Sequence, residues 1–456
     1  MNASQTSASP SQTLDMTSGN ILRILLTFAL PVFFGSLLQQ FYNLADTAIA
    51  GNMLGDAALA QIGATSALYS MLTMFSVGLN NGFAISVSRW FGAGDNRKMK
   101  QAAAWMMVFS LSVGLFLAAL LFLLRCPLLR LLQTPDTAFA GALAYITVIF
   151  LGLPFTMLYN MEASLLRAIG NSVVPLLFLA FSSVLNIILD VWFLGSLHMG
   201  IQGAAIATVL AQAVSALLGL FYLYRSYPLL RFSFDSLRTG FSFALDVFFN
   251  GLSMALMNAV YNIGSVILQG SINALGSTYI AAQVGGRRLA EMFMLPGDSL
   301  GASMATYSSQ NFGAGKRKRI GDGAKIACAL YLIWWLAALL FTFTIAPAVI
   351  RLITGSQDPE VLSNALMYLQ VCVPIFPPMG FLVILRNCLQ GMHHRYVPLF
   401  CSVLELIGKI LFALFLVPSI RYRAVCFCEP TTWIICCAVI CIFTFMIRKE
   451  FRDTAA

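Results

Sequence analysis

The chain has 456 residues, of which 59% are Ala, Val, Ile, Leu, Met, Phe, Trp, Tyr or Cys and only 10% are charged. Soluble domains carry about 45–50% apolar and about 25% charged residues, so most of this apolar surface must face lipid. The same proportions exclude a disordered chain, a nucleic-acid-binding protein and a secreted disulfide scaffold, and the net charge of +9 has to be explained by where the basic residues lie.

Residues 1–20 are polar and rich in Ser and Thr, without a basic n-region or a cleavage site, and read as a disordered cytoplasmic tail. A spanning helix needs about 20 apolar residues, each adding about 1.5 Å across a core of about 30 Å. Twelve runs meet that length: 23–50, 58–88, 102–124, 138–163, 173–196, 203–224, 241–268, 278–307, 324–346, 362–384, 396–418 and 426–447. They are too long for barrel strands and lack period-two alternation, so the predicted fold is all-α.

Of the 27 Lys and Arg, nineteen fall at alternate connections and ends, including Arg89, Arg97, Lys98 and Lys100, and then Lys316 to Arg319. Five fall on the opposite side (Arg125, Arg130, Arg351, Arg421 and Arg423), and Arg287, Arg288 and Lys409 lie inside runs. The positive-inside rule then places both termini in the cytoplasm of a multi-pass plasma-membrane protein. The ten Cys have no paired or metal-ligand spacing and read as free, mostly buried thiols.

The chain also repeats itself. Ser88-Arg-Trp-Phe-Gly-Ala-Gly94 returns as Ser309-Gln-Asn-Phe-Gly-Ala-Gly315, an offset of 221 that also superposes Leu54-Gly55 on Leu275-Gly276 and Gly170 on Gly391. Pro175-Leu176 matches Pro398-Leu399 at 223, which implies a two-residue insertion after Gly170. The domain reading is a six-helix lobe over 21–224, a cytoplasmic linker over 225–240, a second lobe over 241–447 and a tail over 448–456. An even number of helices in each copy makes the two bundles run in the same direction, a layout frequent among secondary transporters.

Charged groups at helix centres cost about 2.5–3.5 kcal/mol on insertion scales, so each one retained is a functional candidate. Tyr42 and Asp46 share a face of the first helix, and Asn186 and Asp190 share a face of the fifth, each pair at i and i+4. Asp46, Asp190 and Thr208 each lie five residues from a glycine at an outer helix end (Gly51, Gly195 and Gly203), which predicts one common depth about 7–8 Å below those ends. Two carboxylates, a carboxamide and a hydroxyl at one depth suit Na⁺ or a shared proton.

The second half has no acid at the position of Asp46, where Ile267 stands. Glu405 and Lys409, at i and i+4, are expected to neutralise each other, Glu291 to be neutralised by Arg287 or Arg288, and Arg386 to snorkel from a helix end. Pro31, inside the first helix, is either a hinge on the acid-bearing helix or a static kink. No nucleotide-binding motif, Asp-rich pyrophosphate cluster or zinc-protease motif is present, so an ion gradient is the expected energy source and no cofactor is expected.

The stretch Leu30-Pro31, Gln39-Gln40-Phe41-Tyr42-Asn43-Leu44-Ala45-Asp46-Thr47, Leu54-Gly55 and Ala57-Ala58-Leu59-Ala60 resembles the first helix and following loop of the multidrug and toxic compound extrusion (MATE) family. The doubled Phe-Gly-Ala-Gly segments, Ile272-Asn273-Ala274-Leu275-Gly276 and Glu429-Pro430-Thr431-Thr432-Trp433 are similar to that family as well. The resemblance implies two six-helix lobes in a V shape and export of small amphipathic, mostly cationic compounds against H⁺ or Na⁺ entry. It also implies a monomer with no nucleotide or nucleic-acid partner. By motif position Asp46 looks like the essential first-helix aspartate, with Tyr42 one turn before it. Asn186, Asp190 and Thr208 stand in the remaining cation-site places, where Na⁺ could bind together with Asp46. Tyr145 resembles a fourth-helix tyrosine of the same lobe, and Pro31 the family's first-helix bend. A lipid-linked glycan flippase of the same superfamily is the alternative within transport.

Overall fold

The computed structural model describes residues 13–355 and 358–451, and among these every regular element is helical. In chain order the twelve long helices are α1 (Ile21–Leu54), α2 (Asp56–Gly92), α3 (Asn96–Leu131), α4 (Asp136–Ala168), α5 (Val173–Ser196) and α6 (Gly200–Ser226), followed by α7 (Phe241–Asn273), α8 (Ser277–Gly313), α9 (Arg317–Thr344), α10 (Pro359–Gly391), α11 (Tyr396–Ile420) and α12 (Tyr422–Met446). Each of the twelve expected runs falls on one of them. The helices run past the apolar windows because a helix continues to its cap rather than stopping at the edge of the hydrocarbon. In α3, for example, Asp95 Oδ1 accepts from the Lys98 backbone N–H at 2.9 Å, a cap seven residues before the expected start.

Among the described residues eleven helices are long and apolar enough to cross a bilayer, and α8 is the twelfth long helix. Its 37 residues include Arg287, Arg288, Glu291 and Asp298, which lower its hydropathy without shortening it. All ten cysteines are free thiols, seven of them buried.

The backbone places the repeat's insertion earlier than expected. α4 ends at Ala168 and α5 begins at Val173; α10 ends at Gly391 and α11 begins at Tyr396, an offset of 223 at both boundaries. The left-handed residue in that turn is Gly170 (φ 87°) in the first copy and His393 (φ 68°) in the second, so Gly170 corresponds to His393 and not to Gly391. The two extra residues enter before α10, where the stretch corresponding to the end of α3 is a separate short helix, Ala346–Thr354.

By its contacts the chain divides into two units. Unit 1 contains residues 34–255 together with the segment preceding Thr17, and unit 2 contains 17–33 and 256 onward. The divisions fall inside α1, three residues after Pro31, and inside α7, although α1 is one unbroken helix across Pro31. In unit 1, α4 packs against α2, α3 and α6, and α5 packs against α6. Leu79, Phe83, Met157, Met161 and Leu165 form the centre of that packing. The 225–240 connection is folded onto this unit: Leu230 is buried, and the Trp105 indole N–H donates to Thr239 Oγ1 at 2.9 Å. In unit 2, α8 packs against α9 and α10, and α10 and α11 pack against α12.

The expected disordered tail is ordered from residue 13 onward, with residues 1–12 outside the described set. Met16 is fully buried, and the Leu14 carbonyl lies so close to Gly170 that a Cβ there would come within 2.2 Å of it. Thr17 and Gly19 offer their carbonyls to the Lys316 ammonium and the Arg319 guanidinium at 2.9 and 3.2 Å. Backbone acceptors satisfied by basic side chains and a buried Met hold a segment whose composition alone read as disordered.

Candidate functional site

α1, α4, α5 and α6 bring Tyr42, Asp46, Tyr145, Asn186, Asp190 and Thr208 together inside unit 1. Asn186 and Asp190 are each 1% exposed, Thr208 and Tyr145 are buried, and Asp46 is half-buried. The carboxyls of Asp46 and Asp190 lie within hydrogen-bonding reach of each other, and Tyr42 reaches the Thr208 hydroxyl.

Asn186 sits at the centre. Its carboxamide has complementary partners in one orientation: Nδ2 donates to Asp190 Oδ2 at 2.9 Å and to the Tyr42 hydroxyl at 3.3 Å, and Oδ1 accepts from the Thr208 backbone N–H at 3.0 Å. Thr208 Oγ1 donates to the Ala204 carbonyl at 3.1 Å. Asp190 Oδ1 is buried and has no hydrogen-bond partner. Asp190 is also the last α-helical residue of α5 before a π-helical segment, Val191–Ser196, a distortion often found at functional sites.

Two facing carboxyls, one of them buried, repel when both are charged; a shared proton or a bound cation between them relieves that repulsion. The Asn186 orientation assigned from its partners presents N–H to Asp190, which suits a proton-bridged acid pair. A sodium ion held by Asp46, Asn186, Asp190 and Thr208 would need the Asn186 carbonyl turned inward. Among the described residues no group of three or more His, Cys, Asp or Glu could hold a metal.

Further residues, to which sequence spacing did not point, extend this polar region. Tyr69 on α2 reaches Thr73 and Gln212, and Gln212 Oε1 accepts from the Thr156 hydroxyl at 2.6 Å. Gln212 lies one turn beyond Thr208, so its place on the same helix face was legible. Glu162, one residue inside the end of its predicted run, is 3% exposed, and its Oε1 has no partner. Its carboxylate occupies the space that a side chain at Gly219 would fill, since a Cβ there would lie 1.9 Å from Oε2.

The charged residues of unit 2 pair differently from the expectation. Lys409 does not neutralise Glu405: its ammonium lies 3.6 Å from Glu429 Oε1 and donates to Ser265 Oγ at 3.0 Å. Glu405 instead faces Arg386 at 3.9 Å, so Arg386 points inward rather than snorkelling, its side chain 15% exposed. Sequence spacing put Glu405 and Lys409 on one helix face, but α12 supplied a nearer acid. Glu291 is held by Arg287 at 2.8 Å, and Arg287 also reaches Glu429 at 3.3 Å.

Twelve long, mostly apolar helices in a repeated arrangement, with an acid pair inside one copy, define a multi-pass membrane protein. The MatE family model matches residues 31–192 and 253–415, covering the greater part of both copies, and the chain belongs to the MatE family. It is 29% identical over 377 residues to "Probable multidrug resistance protein YpnP" of Bacillus subtilis (strain 168), covering 83% of this chain and 84% of that one. It is 25% identical over 399 residues to "FAD transporter" of Shewanella oneidensis, covering 86% and 87%. A solved structure described as "Crystal structure of MATE in complex with MaL6" superposes with a TM-score of 0.89 at 20% identity, over 96% of this chain and 99% of that one.

Proposed function

We propose that the protein is an antiporter that exports amphipathic, mostly cationic organic compounds in exchange for protons entering through the Asp46–Asp190 pair. The observation that carries this reading is that the Asp46 and Asp190 carboxyls lie within hydrogen-bonding reach of each other, an arrangement a shared proton completes. Asp46 and Asp190 bind the proton from outside, Asn186 and Thr208 orient Asp190, and Tyr42 and Tyr145 close the site's sides. The proton and the exported compound need only favour different conformations of the transporter for one to drive the other. Pro31, within one turn of the division inside α1, is the proposed bend of the helix that carries Asp46. The asymmetry of basic residues supports a plasma-membrane protein with both termini cytoplasmic, and the protein is proposed to act as a monomer.

Relatives named for multidrug resistance and multidrug export support drug efflux and do not favour a lipid-linked glycan flippase. The FAD transporter among them raises a second reading, an anionic dinucleotide as cargo. Purified protein in liposomes, under a pH gradient or a Na⁺ gradient, with ethidium or FAD as cargo, separates these readings. The expected result is ethidium movement driven by the pH gradient and lost in Asp46→Asn, with the mutant folded. Full export by a well-folded Asp46→Asn protein refutes the role of the site, Na⁺-driven movement refutes the proton, and movement of FAD alone refutes the substrate class.

A further inference from the structure

The repeat returns three residues of the unit 1 site at matching places in unit 2. Tyr145 lies nine residues after the first residue of α4, and Tyr368 nine after the first of α10. Asn186 and Lys409 each lie thirteen after the first residue of α5 and α11. Thr208 and Glu429 each lie eight beyond the positive-φ residue that opens α6 and α12, Gly200 (φ 63°) and Arg421 (φ 51°). Within unit 2 these three again meet: the Tyr368 hydroxyl donates to Glu429 Oε2 at 3.0 Å, and the Lys409 ammonium lies 3.6 Å from Oε1. The two acids of unit 1 have no counterparts, because Ile267 and Ala413 stand at the positions of Asp46 and Asp190.

Where unit 1 gathers oxygen atoms around a place for a proton or ion, unit 2 inserts a covalently attached ammonium. Lys409 is 2% exposed, and Nζ has a carboxylate at 3.6 Å, the Ser265 hydroxyl at 3.0 Å and the centre of the Tyr261 ring at 4.0 Å. A carboxylate and a hydroxyl are hard oxygen ligands, and an aromatic face attracts a cation, so the surroundings of Nζ are those of a monovalent cation site. Arg287 and Lys409 balance Glu429 and Glu291, which makes the cluster neutral as it stands.

We infer that Lys409 is a tethered cation filling unit 2's counterpart of the ion site. While its ammonium is in place unit 2 takes up no ion, and the exchange runs through unit 1 alone. Without that charge, Glu429, Ser265 and Tyr261 form a site for a free monovalent cation. The meaning given to these positions rests on the proposed role of Asp46 and Asp190, but the test does not use transport, so the two can fail separately.

The test introduces Lys409→Met into the Asp46→Asn/Asp190→Asn protein, where unit 1 is silent, and follows thermal unfolding in detergent. The salts are choline, sodium and potassium chloride at equal ionic strength. The expected result is an unfolding temperature that rises and saturates with Na⁺ or K⁺ but not with choline. That rise should be absent in the parent carrying Lys409 and absent again when Glu429→Gln is added. A folded Lys409→Met protein that responds equally to all three salts overturns the inference. If Lys409→Met fails to fold, neutralising the acid with Glu429→Gln must restore folding, since an uncompensated carboxylate is then the cause; failure of the double variant as well overturns it.

Discussion

Replacing Asn186 with Ala removes the group that organises the unit 1 site. The side chain donates to Asp190 Oδ2 at 2.9 Å and to Tyr42 at 3.3 Å and accepts from the Thr208 N–H at 3.0 Å. A hydrogen bond to a charged partner contributes about 1.5–3 kcal/mol and a neutral one about 0.5–1.5 kcal/mol. The loss leaves the Asp190 carboxyl with the facing Asp46 as its remaining side-chain partner. Together one charged and two neutral bonds give a destabilisation of about 2.5–6 kcal/mol, measurable by SDS titration of the protein in mixed micelles. A double-mutant cycle isolates the cause. Asn186→Ala and Asp190→Asn should couple by about 1 kcal/mol or more, whereas Asn186→Ala and Glu162→Gln should add within about 0.5 kcal/mol. Glu162 lies seventeen residues past Tyr145, about 25 Å further along α4. A cost below about 0.5 kcal/mol for Asn186→Ala, or no coupling with Asp190, would refute the assigned network.

Three further substitutions test the packing and charge arguments. Glu162→Gln should raise the unfolding temperature or leave it unchanged, because it relieves a buried acid with an unpartnered oxygen; a drop of several degrees would mean a partner had been missed. Gly380→Ala should cost about 1–3 kcal/mol, since the new Cβ would lie 1.9 Å from the ring of fully buried Tyr331, and the cost should shrink in a Tyr331→Leu background; an equal cost in both backgrounds refutes the clash. Tyr368→Phe should destabilise by about 1.5–3 kcal/mol through loss of the hydroxyl that donates to Glu429, and by only about 0.5–1.5 kcal/mol in a Glu429→Gln protein, where a neutral acceptor remains, again read by SDS titration.

The spans, the repeat and most of the unit 1 site are legible in the chain because each depends on local spacing. A bilayer sets the length of an apolar run, and a helix sets which residues share a face. Helical spacing alone therefore pairs Tyr42 with Asp46 and Asn186 with Asp190, whereas the glycines taken as helix ends do not mark them, since Gly51 lies inside α1 and Gly203 inside α6. Tertiary structure decided everything that depends on which neighbour arrives from another helix. Lys409 left its i−4 partner Glu405 for Glu429 of α12, Arg386 turned inward to Glu405, and Gly219 made room for Glu162. It also ordered residues 13–20, whose carbonyls are held by basic side chains about 300 positions away. Sequence spacing fixes direction along and around one helix, whereas the partner of a buried charge is chosen by distance across the packing between helices, where a few ångströms outweigh adjacency in the chain.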